Sequence, residues 1–255
     1  MLQVQPQFSL REQWEELARR EGLCYEVLEL SMGRMLDRTG EEFALCRDWY
    51  RDSGLTRSVH GAFIDVNPAS GDPAFRTLSR QRCRESCALA AELGAERVVF
   101  HASAFPFLRG VYLENWAAVC ADFYTELAGT YPVTLCIENS QDVDPEPLEA
   151  LMRRIRCGGV RVCLDIGHAN YSQAPLEDWF DRLGEFIAYL HLSDNNGRFD
   201  DHLPLGDGTV DWALADRLWR GLGRDLPMTL EVGGPAGTER TLDYLRGRGF
   251  FGMGG

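Results

Sequence analysis

The chain lacks lysine altogether: its 255 residues carry 26 cationic side chains other than histidine, and every one is an arginine. Mechanisms that need an amine nucleophile, such as Schiff-base aldolase chemistry or a pyridoxal-phosphate linkage, are thereby excluded. Positive charge is also outweighed. Against 39 aspartates and glutamates the formal net charge is -13, which repels a polyphosphate backbone and forgoes the counterion release that drives most nucleic-acid affinity. No nucleic-acid partner is expected. Nowhere do about eighteen apolar residues follow one another, as a membrane-spanning helix requires, so no membrane partner is expected either. The opening MLQVQPQFSLREQW has no basic start followed by an apolar run, which argues for a cytoplasmic location.

C-x-x-C pairs are missing too. The eight cysteines are scattered, Cys136 and Cys163 inside apolar runs and Cys83 and Cys87 one helical turn apart. That pattern reads as buried thiols in a reducing compartment, not as a disulfide framework or a zinc ribbon. No Pro/Ser-rich linker, short repeat or low-complexity block divides the chain, and only the GRGFFGMGG end reads as a loose tail. A single domain over residues 1–255 is expected.

What is present is an alternation. Short apolar runs rich in Val, Ile and Leu (LQVQ, CYEVLEL, TRSVHGAF, ERVVFHAS, VTLCIEN, VRVCLDIG, AYLHLSD and MTLEVGG) are separated by longer segments of helical periodicity, several opening on Asp, Ser or Thr and stopping at Gly. Strands in strict alternation with helices predict an α/β fold, a single (β/α)8 TIM barrel. In that fold function sits at the C-terminal ends of the strands. His60 ends strand three, His101 strand four, Glu138 strand five, Asp165 strand six with His168 just after, His191 strand seven and Glu231 strand eight. The fifth histidine, His202, lies in the loop after strand seven. Structural histidines would scatter over both rims and the surface; histidines and carboxylates gathered on one rim point to a divalent metal, zinc or manganese.

The stretch HLSDNNGRFDDHLPLGDGTVDW, His191 to Trp212, is too broken by Gly and Pro to be a regular element. Asp200 and His202, spaced D-x-H, can project to one side of an extended backbone and with His168 make a further three-ligand set. Asp211 and Trp212 start the next helix as cap and packing anchor, while Asp194 and Asp201 read as solvated charge. Glu29 could contact substrate or join a rim salt bridge. Asn139, Asn170, Asn195 and Asn196 could orient the ligands, and Phe63, Phe105, Phe107 and Tyr171 could close over a sugar or pack the rim.

CIENS, CLDIGHAN, the His191–Trp212 stretch and LEVGG, as an ordered set from roughly strand three to strand eight, resemble the motif series of the xylose isomerase-like barrel superfamily. That group includes sugar phosphate isomerases and epimerases and endonuclease IV. Resemblance to the ketose 3-epimerase branch implies one divalent ion held by Glu138, Asp165, His191 and Glu231, the two glutamates moving protons, with His168 and Arg198 on substrate oxygens. Resemblance to endonuclease IV implies three zinc ions: His60, His101 and Glu138 on one, Glu138, Asp165, His191 and Glu231 on the second, His168, Asp200 and His202 on the third. The filled positions lean toward more than one ion per chain, two to three if all three groups bind, while the single-ion site stays open.

The acidic charge, and the lack of an Arg-rich or aromatic insertion after the early strands, weigh against a base-flipping enzyme on DNA. The missing lysine weighs against the hydride-shift branch, which uses one beside its metals. The expected function is a metal-dependent sugar or sugar-phosphate isomerase/epimerase on a small carbohydrate, working through an enediolate with Glu138 and Glu231 as the catalytic carboxylates. The alternatives are a trinuclear-zinc phosphodiesterase and a barrel that binds metal without turnover; a homo-oligomer stays open.

Overall fold

A computed structural model describes residues 1–106 and 108–254. Eight parallel strands close into a barrel in sequence order: β1 (Leu2–Val4), β2 (Cys24–Val27), β3 (Thr56–His60), β4 (Arg97–His101), β5 (Thr134–Glu138), β6 (Val160–Asp165), β7 (Ile187–Leu192) and β8 (Met228–Leu230). The helices between them are α1 (Arg11–Glu21), α2 (Gly40–Asp52), α3 (Pro73–Leu93), α4 (Gly110–Thr130), α5 (Glu146–Met152), α6 (Ile166–Tyr171), α7 (Leu176–Leu183), α8 (Trp212–Gly221) and α9 (Gly234–Arg248). The expected α/β class and TIM barrel are thus observed.

Local chemistry accounts for the element ends. Asp72 caps α3 by accepting from the backbone N–H groups of Ala74 and Phe75, with Pro73 at the first helical position. Gly94, at φ 71, closes the same helix in the left-handed conformation that a side chain would oppose. Outside the barrel, helices seal the strands with fully buried Trp14, Trp179, Tyr50, Phe123 and Leu127, aliphatic members of this shell contributing about 1.5–3 kcal/mol each.

Inside the barrel the period of two sorts side chains into layers. Ser58, Val99, Cys136, Cys163, Tyr189 and Thr229 sit two residues before His60, His101, Glu138, Asp165, His191 and Glu231. Val99, Cys136, Cys163 and Tyr189 form a small apolar plug of their own, and the ligand candidates lie one layer above it.

Two expectations about organisation need correction. The run VRVCLDIG, read whole as a strand, is strand only as far as Asp165, which ends β6 and caps the short helix α6, accepting from His168 N at 2.6 Å. The glycine-rich end is not loose over its described residues. Phe251 is buried, packs edge-on against Trp212 and tilted against Trp219, and donates its N–H to Asp216 at 2.6 Å. The cysteines are free, six of them buried, as their spacing suggests. No described helix is long and apolar enough to cross a membrane.

Candidate metal centre

Glu138 stands at the middle of the strand-end cluster. Its Oε2 lies 3.3 Å from His60 Nε2 and 3.4 Å from His101 Nε2. Its Oε1 lies 2.9 Å from His191 Nδ1, which is itself 3.0 Å from Glu231 Oε1. Two ligand groups therefore share Glu138: His60 with His101, and Asp165 with His191 and Glu231, the ligand atoms of each group lying within 4.8 Å of one another. Cys163 and His191 form a third such group with Glu138. Around the rim, Asp200 Oδ2 lies 3.2 Å from His168 Nε2 and 3.0 Å from His202 Nε2.

Hydrogen bonding on the far side of each imidazole decides what the near side offers. His60 Nδ1 faces Gly61 O at 3.0 Å, His168 Nδ1 faces Asn139 O at 2.7 Å and His202 Nδ1 faces Glu231 O at 2.9 Å. A carbonyl only accepts, so Nδ1 carries the proton in each, and neutral imidazole then turns a lone pair on Nε2 toward a carboxylate oxygen. A lone pair facing a carboxylate is repulsive unless a cation lies between them. Glu138 Oε2 and Asp165 Oδ2 are also buried with no hydrogen-bond partner, at a cost comparable to a lost hydrogen bond or more. His60, anchored by Gly61 O and aimed at the orphaned Glu138 Oε2, fits a ligand of a divalent ion, as do His168 and His202, anchored in the same way and aimed at Asp200.

Without such an ion, protons supply the missing positive charge. Burial opposes ionisation of Glu138, yet His191, His60 and His101 hold its carboxyl well below the usual range. Burial, reinforced by Glu231 and Glu138 against the pull of His168, pushes Asp165 up to about 7. His168 is raised against its burial by Asp165 and Asp200, and His202 is raised to about 9 by Asp200 and Glu231 against the same opposition. His101 is lowered to about 3 by burial, which outweighs Glu138.

The loop after β7 carries its ligands on a polar scaffold. Asp194, expected as solvated charge, is fully buried and is the loop's hub. Its carboxylate accepts from the N–H groups of Asn195 (2.9 Å), Gly206 (2.8 Å) and Val210 (3.1 Å) and from Trp212 Nε1 (2.8 Å). Its backbone pairs with Leu203, next to His202, which is held at φ 48, a conformation that costs a β-carbon residue of order 1–3 kcal/mol. A Cβ on Gly208 would come within 2.3 Å of Asp194 Oδ1, so only glycine fits there. Asp201 is exposed, as expected, and accepts from Asn196 N at 3.2 Å.

Asn139 exchanges both side-chain hydrogen bonds with the backbone of Asp165, at 2.9 and 2.8 Å. Asn195 donates to Gly167 O at 2.7 Å and accepts from Asn170. Both asparagines thus pin the backbone beside ligands, whereas Asn196 is exposed.

The side chains around the ligands enclose a cavity of about 70 Å³, bounded also by Gln5, Leu28 and Phe63. Phe63 packs its ring 4.8 Å from that of His60, and Tyr171 sits 5.6 Å from His168 and donates to Ser140 O. Phe105 is 70% exposed. Phe107 lies outside the described residues. Arg198 is exposed and outside the cavity lining. Glu29 lies past the end of β2 in a short 3-10 turn, where it accepts from Phe8 N at 2.8 Å and faces Cys46 Sγ at 3.5 Å; it serves the fold there. A larger cavity of about 640 Å³, lined by Glu15, Arg19, Trp49 and Leu55, gathers no ligand cluster.

Sequence reasoning missed Glu26 and Gln5. Glu26 is fully buried inside the barrel, 3.1 Å from His191 Nε2. Gln5 donates to Glu26 at 3.0 Å and to Glu231. The signal available for Glu26 was its place within the short strand CYEV, where an acid among buried neighbours has only the barrel interior to face.

The profile of the family described as xylose isomerase-like TIM barrel matches residues 16–248. The chain is 27% identical over 169 residues to a Mycobacterium tuberculosis protein named probable endonuclease 4, covering 60% of this chain and 64% of that one. Other curated relatives it matches are likewise spanned over 63% of their length. Among solved structures, the TTHB071 protein of Thermus thermophilus, soaked with zinc chloride, superposes with a TM-score of 0.78 at 28% identity, over 96% of each chain. A D-tagatose 3-epimerase-like protein superposes with a TM-score of 0.72 at 25% identity, over 87% of this chain and 88% of that one.

Proposed function

Because the chain belongs to the xylose isomerase-like TIM barrel family, we propose that it is a divalent-metal-dependent isomerase or epimerase of a small, polyhydroxylated or phosphorylated carbohydrate. The observation that carries this reading is that oxygens of Glu138 and Glu231 both approach His191 Nδ1, at 2.9 and 3.0 Å, with Asp165 in the same ligand group. Bound by Glu138, Asp165, His191 and Glu231, zinc or manganese would polarise a carbonyl and its neighbouring hydroxyl.

Proton movement falls to the protein. Glu138 leaves β5 and Glu231 follows β8, so the two carboxylates approach a bound substrate from different parts of the barrel wall. One can take a carbon-bound proton and the other can return it, a contribution of about 10²–10⁴-fold for general acid–base catalysis. His168, fixed by Asn139 O, and Gln5, beside Glu231, would orient substrate oxygens in this reading, and Phe63 and Leu28 line the cavity with apolar surface. The likeness to a D-tagatose 3-epimerase-like protein supports this reading, as does a net charge of -13 that disfavours a polyanionic partner. The free, mostly buried cysteines accord with a reducing, cytoplasmic setting.

A second reading, a phosphodiesterase with several zinc ions, is favoured by the completeness of the His60–His101 and His168–Asp200–His202 groups and by the likeness to probable endonuclease 4. One paired experiment decides. Protein loaded with zinc or manganese, its metal content fixed by elemental analysis, is incubated with a panel of ketoses and ketose phosphates in heavy water and, separately, with abasic duplex DNA. Deuterium uptake at carbon with intact DNA is the expected result. Cleavage without exchange would establish the second reading, and metal uptake with neither would leave a binding barrel.

A further inference from the structure

Below the ligand layer, Glu26 is a buried carboxylate that belongs to none of the candidate ligand groups. Donors surround it: Gln5 Nε2 at 3.0 Å, Ser58 Oγ at 2.8 Å, Tyr189 OH at 2.9 Å and His191 Nε2 at 3.1 Å. Tyr189 is itself fixed, since its OH can accept from Thr229 Oγ1 while it donates to Glu26. An ionised carboxylate accepts and never donates. His191 therefore carries a proton on Nε2, and once a cation stands among Glu138, Glu231 and Nδ1, which lies 2.9 and 3.0 Å from their oxygens, the Nδ1 lone pair is the one left for it.

We infer that Glu26 is a positioning residue that locks His191 into the orientation and tautomer of an Nδ1 metal ligand; this rests on the metal-dependent reading above. Two features separate this role from that of a merely structural acid. Glu26 approaches the imidazole on the nitrogen opposite the other carboxylates, so it acts on the metal only through the ring. Its remaining acceptor capacity is taken up by Gln5, Ser58 and Tyr189, so it holds that ring without freedom to swing. A carboxylate behind a ligating imidazole raises the ring's basicity and restricts its rotation, and losing such a partner typically weakens metal binding by about 10–100-fold.

The test is a competition titration of zinc into metal-free wild type and Glu26→Gln, with nitrogen-15 NMR of the histidine rings assigned by a His191→Gln variant. Glu26→Gln keeps the volume and removes the charge. Zinc affinity should fall by about 10–100-fold, and the His191 ring should lose its fixed preference for the proton on Nε2. A role confined to packing would move neither the affinity at matched folded fraction nor the tautomer. Unchanged affinity and tautomer in folded Glu26→Gln would overturn the inference. If that variant does not fold, the zinc-loaded wild type decides alone: a proton on Nε2 with zinc on Nδ1 supports the assignment, and zinc on Nε2 defeats it. Wild type that takes up no zinc would sink the metal-dependent reading itself, whereas normal wild-type uptake with an unaffected variant would sink only the role of Glu26.

Discussion

Side chains that leave strand ends and side chains that leave the β7–α8 loop reach one cavity by different physics. Glu138, Asp165 and His191 are placed by β-ladder register, with His101 opposite Glu138 and Asp165 opposite His191, and all three are fully or almost fully buried. Asp200 and His202 come from an irregular segment, and their side chains remain 38% and 42% exposed. Ladder hydrogen bonds and the apolar plug beneath hold the first set; a single buried carboxylate, Asp194, organises the loop that carries the second. Charges buried in the first set demand a cation, because an uncompensated buried charge costs several kcal/mol, whereas water can satisfy the half-exposed pair. The strand-borne centre should therefore be the tighter metal site.

The largest test of that difference is Glu138→Ala. Removing the carboxylate shared by two ligand groups should abolish most bound metal, read by elemental analysis after dialysis; full stoichiometry in the variant would refute the assignment. Next comes Asp194→Ala, which leaves buried N–H donors without partners at about 1–3 kcal/mol each. Urea unfolding should show a loss of several kcal/mol, and in the folded fraction any metal bound beside Asp200 and His202 should be lost while metal at the strand-borne ligands stays. Loss of both together would mean that loop and strands form a single unit.

A third test uses pH. Burial pushes Asp142, on the loop after β5, up to about 7. Between its ordinary value of 3.8 and about 7 the folded protein keeps a proton that the unfolded chain releases. Its contribution to stability should therefore fall as pH rises through that window, by up to ~1.4 kcal/mol per pH unit, and level off above it. Asp142→Asn should flatten that slope relative to wild type in urea midpoints measured from pH 4 to 8. The smallest effect is expected for His202→Asn: at most one zinc equivalent lost, with little change in unfolding, since its side chain is partly solvated.

The strand-borne half was legible in the sequence because a period of two and the barrel's polarity together say which residue stands where. The rest was hidden for identifiable reasons. CYEVLEL holds two acids three residues apart, which cannot share one strand face; reading the strand as far as Glu29 concealed that it stops at Val27 and that Glu26 is the one facing inward. Asp194 stands in a run of Asn, Asp and Gly that reads as a solvated turn, and only the arrival of Trp212 Nε1 and Gly206 N from farther along the chain makes it a buried hub. Asp165 hid a helix, because a cap that is also the last strand residue leaves no loop to read. At the far end, two phenylalanines among glycines were outvoted by composition, although Phe251 finds a tryptophan-lined seat on α8.

Barrel closure has a consequence in time. β1 pairs with β8, Val4 opposite Leu230, and Gln5 reaches across to Glu231. During synthesis, the first strand must therefore wait for nearly the whole chain before its second neighbour exists, and pairings of such long sequence separation close slowly. His60, His101, Glu138, Asp165 and His191 are all made before Glu231. If a divalent ion binds these residues, a nascent chain would present a half-built set of ligands well before the carboxylate that completes it, and selection of the ion would fall to the last event of folding.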